Sequence, residues 1–275
     1  MSSRVISAHG RTTEDPVAGT QSLDRALNIL FEIAGSAQGG MTLAQCSSIL
    51  GYSKPTTQRM LLTLAKREFL NYDEQAGLYT LGVANARLGT QYLARLDYRR
   101  AALPAMRELV AETDETAHLG TLSGTNVVYV EMVESSLPVR IFSRVGETAP
   151  VYAAAIGKAI LAWSAPDAVD AHLPAVLEPR TPNTLTTRDA LEADLAATRV
   201  RGYAVDDVEN REGVRGFAAP IFDQSGTVVA GVSIGGPVDR VGADSEARLG
   251  PRVAAVAAEI SRVLGAPEHF PSPAA

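Results

Sequence analysis

Cysteine is almost missing from this 275-residue chain, in which Cys46 stands alone. A disulfide framework needs pairs, so none is expected, and a reducing compartment fits; the chain is read as cytoplasmic. No apolar run approaches the roughly 20 residues that cross a bilayer, which excludes an integral membrane protein. Residues 1–20 carry Arg4, Arg11, Glu14 and Asp15 and no apolar stretch long enough for a signal peptide. The G-x-G-x-x-G fingerprint and the P-loop are both absent, since Tyr152 stands where a P-loop ending in Gly157-Lys158 needs its leading glycine. His9, His118, His172 and His269 are far apart, with no second ligand at metal spacing. No metal and no cofactor are therefore expected, and there is no internal repeat.

What remains is an ordinary globular composition, 46% hydrophobic and 20% charged. Such a chain can bury a core, and its length suits about two domains. Its formal charge of −6 argues against a nucleic-acid partner only until it is mapped. Residues 1–100 carry +3 and the remainder −9, an asymmetry that fits a basic nucleic-acid module joined to an acidic partner domain.

Local patterning supports that division. Residues 1–20 read as a mobile arm. Leu23, Leu27, Leu30 and Ala34 then recur at helical spacing, with Ser22 as N-cap and Gly35 near the stop. Thr42 caps a short helix that turns Leu43, Cys46 and Ile49 to one face. Gly51-Tyr52 makes a tight turn, and Ser53 precedes a third helix with Pro55 in its first turn. That helix carries Thr57, Leu61 and Leu64 on one side and Thr56, Arg59 and Thr63 on the other. Residues 69–72 and 78–81 read as a hairpin around an acidic turn. Helix, short helix, turn, helix and hairpin within about 60 residues is the layout of a winged helix-turn-helix.

A helical connector from Val83, with Ala84, Leu88, Tyr92 and Leu96 at spacings of four, leads to a helix placed near Pro104 and ending about Glu112. Residues 116–122, 126–133, 139–145, 203–208, 213–221 and 227–234 are β-rich, with hairpin turns at Ser123-Gly124 and Gln224-Ser225-Gly226. Helices are expected over 156–164, 188–201 and 245–264. Antiparallel strands with segregated helices make an α+β domain. The domain reading is an arm (1–20), a winged helix-turn-helix (21–82), a linker or dimerisation helix (83–99), an effector domain (100–265) and a tail (266–275).

Two strings invite a catalytic reading. Gly231-Val232-Ser233-Ile234-Gly235 fits the G-x-S-x-G nucleophile elbow. That chemistry needs a strand, a sharp turn and an immediate helix; instead Gly235-Gly236-Pro237 follows, and only His269 lies downstream. A Ser233-dependent hydrolase with an accessory N-terminal module is the alternative function. Asp206-Asp207 reads as a strand-end pair, one residue inward and one outward, with Asp206 a pocket candidate because a buried carboxylate needs a partner. Cys46 and His118 read most simply as core or pocket residues.

Four separated stretches resemble the isocitrate-lyase-regulator (IclR) family of bacterial transcription factors. They are the opening Gln21-Ser22-Leu23-Asp24-Arg25-Ala26-Leu27, the segment Gly51-Tyr52-Ser53-Lys54-Pro55-Thr56-Thr57-Gln58-Arg59, the string Gly157-Lys158-Ala159-Ile160-Leu161-Ala162, and the region from Arg201-Gly202-Tyr203 to Gly213-Val214-Arg215-Gly216-Phe217. The resemblance spans about 20–265. It implies a winged helix-turn-helix, a dimerising linker helix and a C-terminal GAF-like effector domain with an antiparallel sheet. It also implies a repressor or activator of a catabolic operon that binds a palindromic double-stranded DNA operator as a homodimer or homotetramer.

The third helix is then expected in the major groove, with Arg59 reading a guanine. Ser53, Lys54, Thr56, Gln58 and Thr63 are placed at bases or phosphates, and Ser22 and Arg25 at the phosphate register. The resemblance carries the effector pocket over to Ala155, Ile156, Asp206, Gly216, Ser233 and Gly235. Gly216 stands where many members have cysteine, and Gly235 where members binding small oxo-acids often have serine. Losing both side chains widens the pocket, which points to a bulkier small-molecule effector such as an aromatic acid.

Overall fold

A computed structural model describes residues 19–94 and 97–267. The expected arm up to residue 18, the tail from 268 and residues 95 and 96 of the linker lie outside the described residues. The chain divides into two compact units, Met1–Arg95 and Leu96–Ala275.

The first unit runs α1 (Gln21–Ala34), α2 (Leu43–Leu50), α3 (Lys54–Lys66), β1 (Leu70–Asp73), β2 (Leu78–Leu81) and α4 (Val83–Ala94). Thr42 and Gln45 form a reciprocal capping box at the start of α2, which satisfies two otherwise orphaned amides. Gly51 ends α2 at φ +67°, a left-handed conformation that favours glycine. Pro55 lies in the first turn of α3, where its missing N–H costs nothing. Thr57 is fully buried and donates its hydroxyl to Ser53 O at 3.1 Å, while Leu61 packs with Ile29, Ile33, Met41, Cys46, Leu70 and Tyr79. Burial pushes the Cys46 thiol up to about 11, so it stays protonated and inert. β1 and β2 pair antiparallel, and Met41 bridges to Tyr79.

Two expectations fail in α1. Its first residue is Gln21 after Thr20, so Ser22 lies inside the first turn and is not the cap. The buried face is Ile29 and Ile33, whereas Leu23, Leu27 and Phe31 are exposed. The helix carries two apolar ladders at spacing four, and only the one facing α2 and α3 is covered within this unit.

The second unit holds α5 (Asp97–Thr113), β3 (Thr116–Ser123), β4 (Asn126–Val133), β5 (Thr148–Pro150), α6 (Ala155–Ala162), α7 (Pro166–His172), α8 (Arg188–Arg201), β6 (Ala204–Asp207), β7 (Val214–Phe222), β8 (Val228–Pro237) and α9 (Glu246–Val263). One sheet runs β5-β4-β3-β8-β7-β6 with every pairing antiparallel. α5 and α9 pack together against the sheet, and α6 packs across β7, β8, β3 and β6. The period of two on each strand splits the sheet. Gly120 and Gly231 lie under the Ile156 side chain of α6. Phe217 is buried and meets the Tyr203 ring edge-on, and that ring packs over Gly250 of α9.

Three sequence expectations are corrected here. Residues 139–145 form no strand: Val139, Phe142 and Val145 are exposed while Ser143 is buried, so the segment crosses a cavity mouth rather than pairing with an edge. α5 starts at Asp97, so Pro104 lies inside a helix whose Ala102, Ala105, Met106 and Leu109 are buried. The short α7 was not anticipated; Pro166 opens it, and only Val169 is buried.

Candidate functional site

The first candidate surface is α3. Periodicity buries Thr57 and Leu61 and leaves Ser53, Lys54, Gln58, Arg59 and Thr63 exposed, with Thr56 half-buried. Ser53 donates its hydroxyl to Thr56 Oγ1 at 2.9 Å, and Thr63 returns its own to Arg59 O at 2.8 Å. Among the described residues the Arg59 guanidinium has no protein partner. The Arg25 guanidinium stacks over the Tyr52 ring, 5.1 Å from its centroid, which holds α1 near the turn before α3. Ser22 is exposed on the first turn of α1. The wing turn is acidic: the Asp73 carboxylate accepts from the Gln75 and Ala76 amides.

The second is a cavity of about 100 Å³ in the effector unit. Ala155, Ile156, Asp206, Gly216, Ser233 and Gly235 all line it. Strand register explains the convergence. Asp206 lies opposite Gly216, and Gly216 opposite Gly235; one row over, Ala218 lies opposite Ser233 and Ser233 opposite His118. Residues two apart on each strand share the cavity face. The G-x-S-x-G string therefore lies wholly within β8, with no turn and no helix behind Ser233. The nucleophile-elbow geometry is absent, and the hydrolase alternative has no support.

Gly216 has room for a Cβ, which would meet only Ile234 O at 3.5 Å and Gly235 Cα at 3.9 Å. Gly235 is tighter, with Ile141 Cδ1 at 3.4 Å from its Cβ position. Ile141 thus refills part of the space left at Gly235, whereas Phe217 does not line the cavity.

Asp206 points inward and Asp207 outward, the latter paired with Arg215. The inward carboxylate finds its partners in its own chain: Asp206 Oδ1 accepts from the amides of Glu209 at 2.7 Å and Asn210 at 3.2 Å. Between them Val208 holds φ +61°, a strained conformation for a β-branched residue that surrounding contacts must enforce. Thr181 Oγ1 donates to Val208 O at 2.6 Å, and Thr184 Oγ1 donates to Glu209 O at 2.7 Å.

Behind this turn lies Lys158, a fully buried lysine on a wholly buried helix. Its Nζ is 2.6 Å from Glu209 Oε1 and 3.0 Å from Asp194 Oδ2, and Asp194 also pairs with Arg201. The cluster ties α6 to α8 and to the turn after β6. Burial raises the Glu209 pKa, while Lys158 pulls it back.

The resemblance carried over the six lining residues; His118 was read only as a core or pocket residue, and several others were not singled out. His118 Nε2 lies 2.5 Å from Ser143 Oγ, and the His118 ring packs on Tyr129 at 4.8 Å. Arg180, Asn210 and Arg211 complete the wall. His118 stands on β3, whereas Ser143, Arg180, Asn210 and Arg211 come from the loops 134–147, 178–184 and 209–213, which only the topology brings together. Lys158 did leave a signal, as a lone charge in an otherwise apolar helix.

Burial pushes the Asp206 carboxyl up to about 7 and, with Arg211 nearby, pushes His118 down to about 4. The two act on stability with opposite signs. The folded state binds the extra Asp206 proton, so that contribution falls as pH rises from about 4 to 7. Folding releases the His118 proton, so its contribution grows from about pH 4 to 6.5. Asp206→Asn removes the first and leaves the second. Urea denaturation of this variant is expected to give stability that climbs steeply from pH 4 to 6.5, against a flatter wild-type profile. Equal slopes would contradict the assignment.

Among the described residues no helix is long and apolar enough to cross a membrane, and no cluster of three or more His, Cys, Asp or Glu could hold a metal ion. Two family models match the chain: the IclR helix-turn-helix domain over residues 22–74, and the bacterial transcriptional regulator IclR C-terminal domain over residues 90–262. The HTH-type transcriptional regulator XynR of Escherichia coli is 34% identical over 252 residues, covering 90% of this chain and 98% of its own. The HTH-type transcriptional regulator BhcR of Paracoccus denitrificans is 39% identical over 243 residues, 88% of this chain and 85% of its own. The crystal structure of Thermotoga maritima IclR superposes with a TM-score of 0.72 at 31% identity, covering 90% of this chain and 99% of that one. With a helix-turn-helix unit and an effector-binding unit that each match, the chain belongs to the IclR family of bacterial transcriptional regulators.

Proposed function

We propose that this regulator binds a palindromic operator as a dimer or dimer of dimers and that a small organic acid in the effector-unit cavity controls the binding. The observation that carries the reading is the convergence of Ala155, Ile156, Asp206, Gly216, Ser233 and Gly235 on one cavity, in a chain whose other unit exposes a basic recognition helix. On that helix Arg59 reads a guanine, while Lys54, Thr56, Gln58 and Thr63 reach bases or phosphates. Ser22, Arg25 and Ser53 set the register on the backbone. The exposed ladder Leu23, Leu27 and Phe31 (61%, 46% and 65% exposed) favours self-association, because a lone chain leaves it in water.

Residues 83–99 act as the linker between domains bounded near 21–82 and 100–265. Ligand binding alters how two effector domains pair, and the linker converts this into a changed spacing of recognition helices. Half-sites one helical turn or a multiple apart then fit one state only.

The glycine pair favours an aromatic acid over glyoxylate or pyruvate. Engineered cavities of roughly 150 Å³ hold benzene, so an aromatic ring needs Ile141 and the loop 134–147 to move outward. Thermal-shift measurement with benzoate, glyoxylate and pyruvate tests this: benzoate is expected to raise the melting temperature most. Stabilisation by the oxo-acids alone would overturn the aromatic reading and leave a small-acid regulator.

A further inference from the structure

Building on the reading that the cavity holds an acid, we propose that Arg180 receives the ligand's carboxylate and that the ligand is a monocarboxylate with a second polar group at its other end.

The charged groups lining the cavity are Glu147, Arg180, Asp206 and Arg211. Three of these are already engaged. Arg211 donates to Phe142 O at 3.1 Å and to Glu147 Oε1 at 3.3 Å, which fastens the covering loop 134–147 at two points. Asp206 closes its own turn through the two amides described above. Arg180 differs: its Nε donates to Asn210 O at 3.0 Å, and among the described residues it has no acidic partner.

Its backbone is fixed in place. The amides of Arg180 and Thr181 both donate to Thr184 Oγ1, at 3.0 and 2.9 Å, and the Tyr152 hydroxyl donates to Glu178 O at 2.8 Å. Exposed to solvent on one side, Arg180 also lines the cavity beside Asn210, whose carbonyl holds its Nε, so the remaining guanidinium donors border the space where a ligand lies. A planar guanidinium held by one nitrogen leaves its remaining donors for a carboxylate.

Unused polar groups lie both beside Arg180, on Asn210, and on the sheet side of the wall, on Ser233 and Tyr129. Asn210 Oδ1 is buried without a hydrogen-bond partner, and among the described residues neither Ser233 Oγ nor Tyr129 OH makes a hydrogen bond. Buried polar atoms are seldom left unpaired, and a ligand hydroxyl or carbonyl supplies what these lack. The charge count limits the ligand to one carboxylate. A second would have to break the Arg211–Glu147 pair that holds the loop.

The test measures affinity for the full chain by calorimetry with 4-hydroxybenzoate and pyruvate, each against its neutral amide. At least one carboxylate is expected to bind and its amide not. Arg180→Gln should weaken that carboxylate by roughly 10- to 100-fold, and Arg180→Lys should recover part of the loss. A third variant, Gly216→Leu, fills the cavity at a position where a Cβ is tolerated. Binding lost in Gly216→Leu but unchanged in Arg180→Gln overturns the role of Arg180 and keeps the cavity. Carboxylate binding unchanged in both overturns the cavity reading as well. An amide that binds as tightly as its acid, or no binding by either carboxylate, also overturns the proposal.

Discussion

Replacing Lys158 by methionine is expected to remove about 3–5 kcal/mol from the stability of the effector unit. That is a large share of the 5–15 kcal/mol typical of a folded domain. The buried ammonium offsets the Glu209 carboxylate, whose side chain is 7% exposed, and shares Asp194 with Arg201. Deleting the cation leaves Glu209 charged in a dry site or forces it to take up a proton. Asp194 suffers less because Arg201 still reaches it at 3.1 Å. Urea denaturation followed by circular dichroism should therefore show a lower midpoint with an unchanged slope.

The double variant Lys158→Met with Glu209→Leu distinguishes the cause. If the penalty is the orphaned carboxylate, the second change recovers much of the loss, since paired removal of buried ions is often close to neutral. If both changes add, the lysine is being felt through its packing. Ligand binding should weaken alongside stability. Lys158 anchors α6, whose first residues Ala155 and Ile156 line the cavity, and it anchors the turn that carries Asp206 and Asn210.

Arg59→Ala carries the other large effect, on DNA rather than on folding. The guanidinium is exposed on α3, so its loss should leave the melting temperature of the protein unchanged. A bidentate guanine contact contributes about 1–3 kcal/mol of discrimination. Two half-sites double this, so operator affinity should fall roughly 30-fold or more, with selectivity against unrelated DNA falling too. Lys54→Ala is the contrast. A phosphate contact carries no sequence information, so its loss should weaken all DNA alike and reduce the salt slope by about two, one for each half-site. Fluorescence anisotropy on specific and scrambled duplexes separates the two patterns.

Much of this architecture could be read from local chemistry. Thr42, Gly51 and Pro55 each fix one end of a helix through an atom or a dihedral angle, and such signals survive in one dimension. β-rich runs separated by the turns at Ser123-Gly124 and Gln224-Ser225-Gly226 likewise announced paired strands, and their register put Asp206, Gly216 and Gly235 in one row. The failures share a different origin. In α1 both apolar ladders have helical spacing, and only the packing of α2 and α3 decides that Ile29 and Ile33 are covered. Residues 139–145 alternate like a strand, yet they pair with no strand and instead turn Ile141 and Ser143 onto the cavity.

Within the cavity the same contrast holds. The six residues of the wall named from the sequence were carried over from the family resemblance, and the strand register then explains how four of them converge. His118 was seen only as a core or pocket histidine, and Arg180 and Arg211 were not singled out. The two arginines reach the site on neighbouring loops, where Arg180 Nε donates to Asn210 O, and the course of those loops is set by hydroxyls such as Thr181 and Thr184 rather than by pattern. The overall charge of −6 was similarly uninformative until it was divided.

The most direct test of ligand-controlled DNA binding is a footprinting titration of the full chain on the DNA upstream of its own and neighbouring genes. It is run with and without a carboxylate that raises the melting temperature of the protein. A palindromic protected segment is predicted, with half-sites about one helical turn or a multiple apart and a midpoint that shifts when the carboxylate is added. Protection that ignores the ligand, or no protected segment at low salt, would contradict the account.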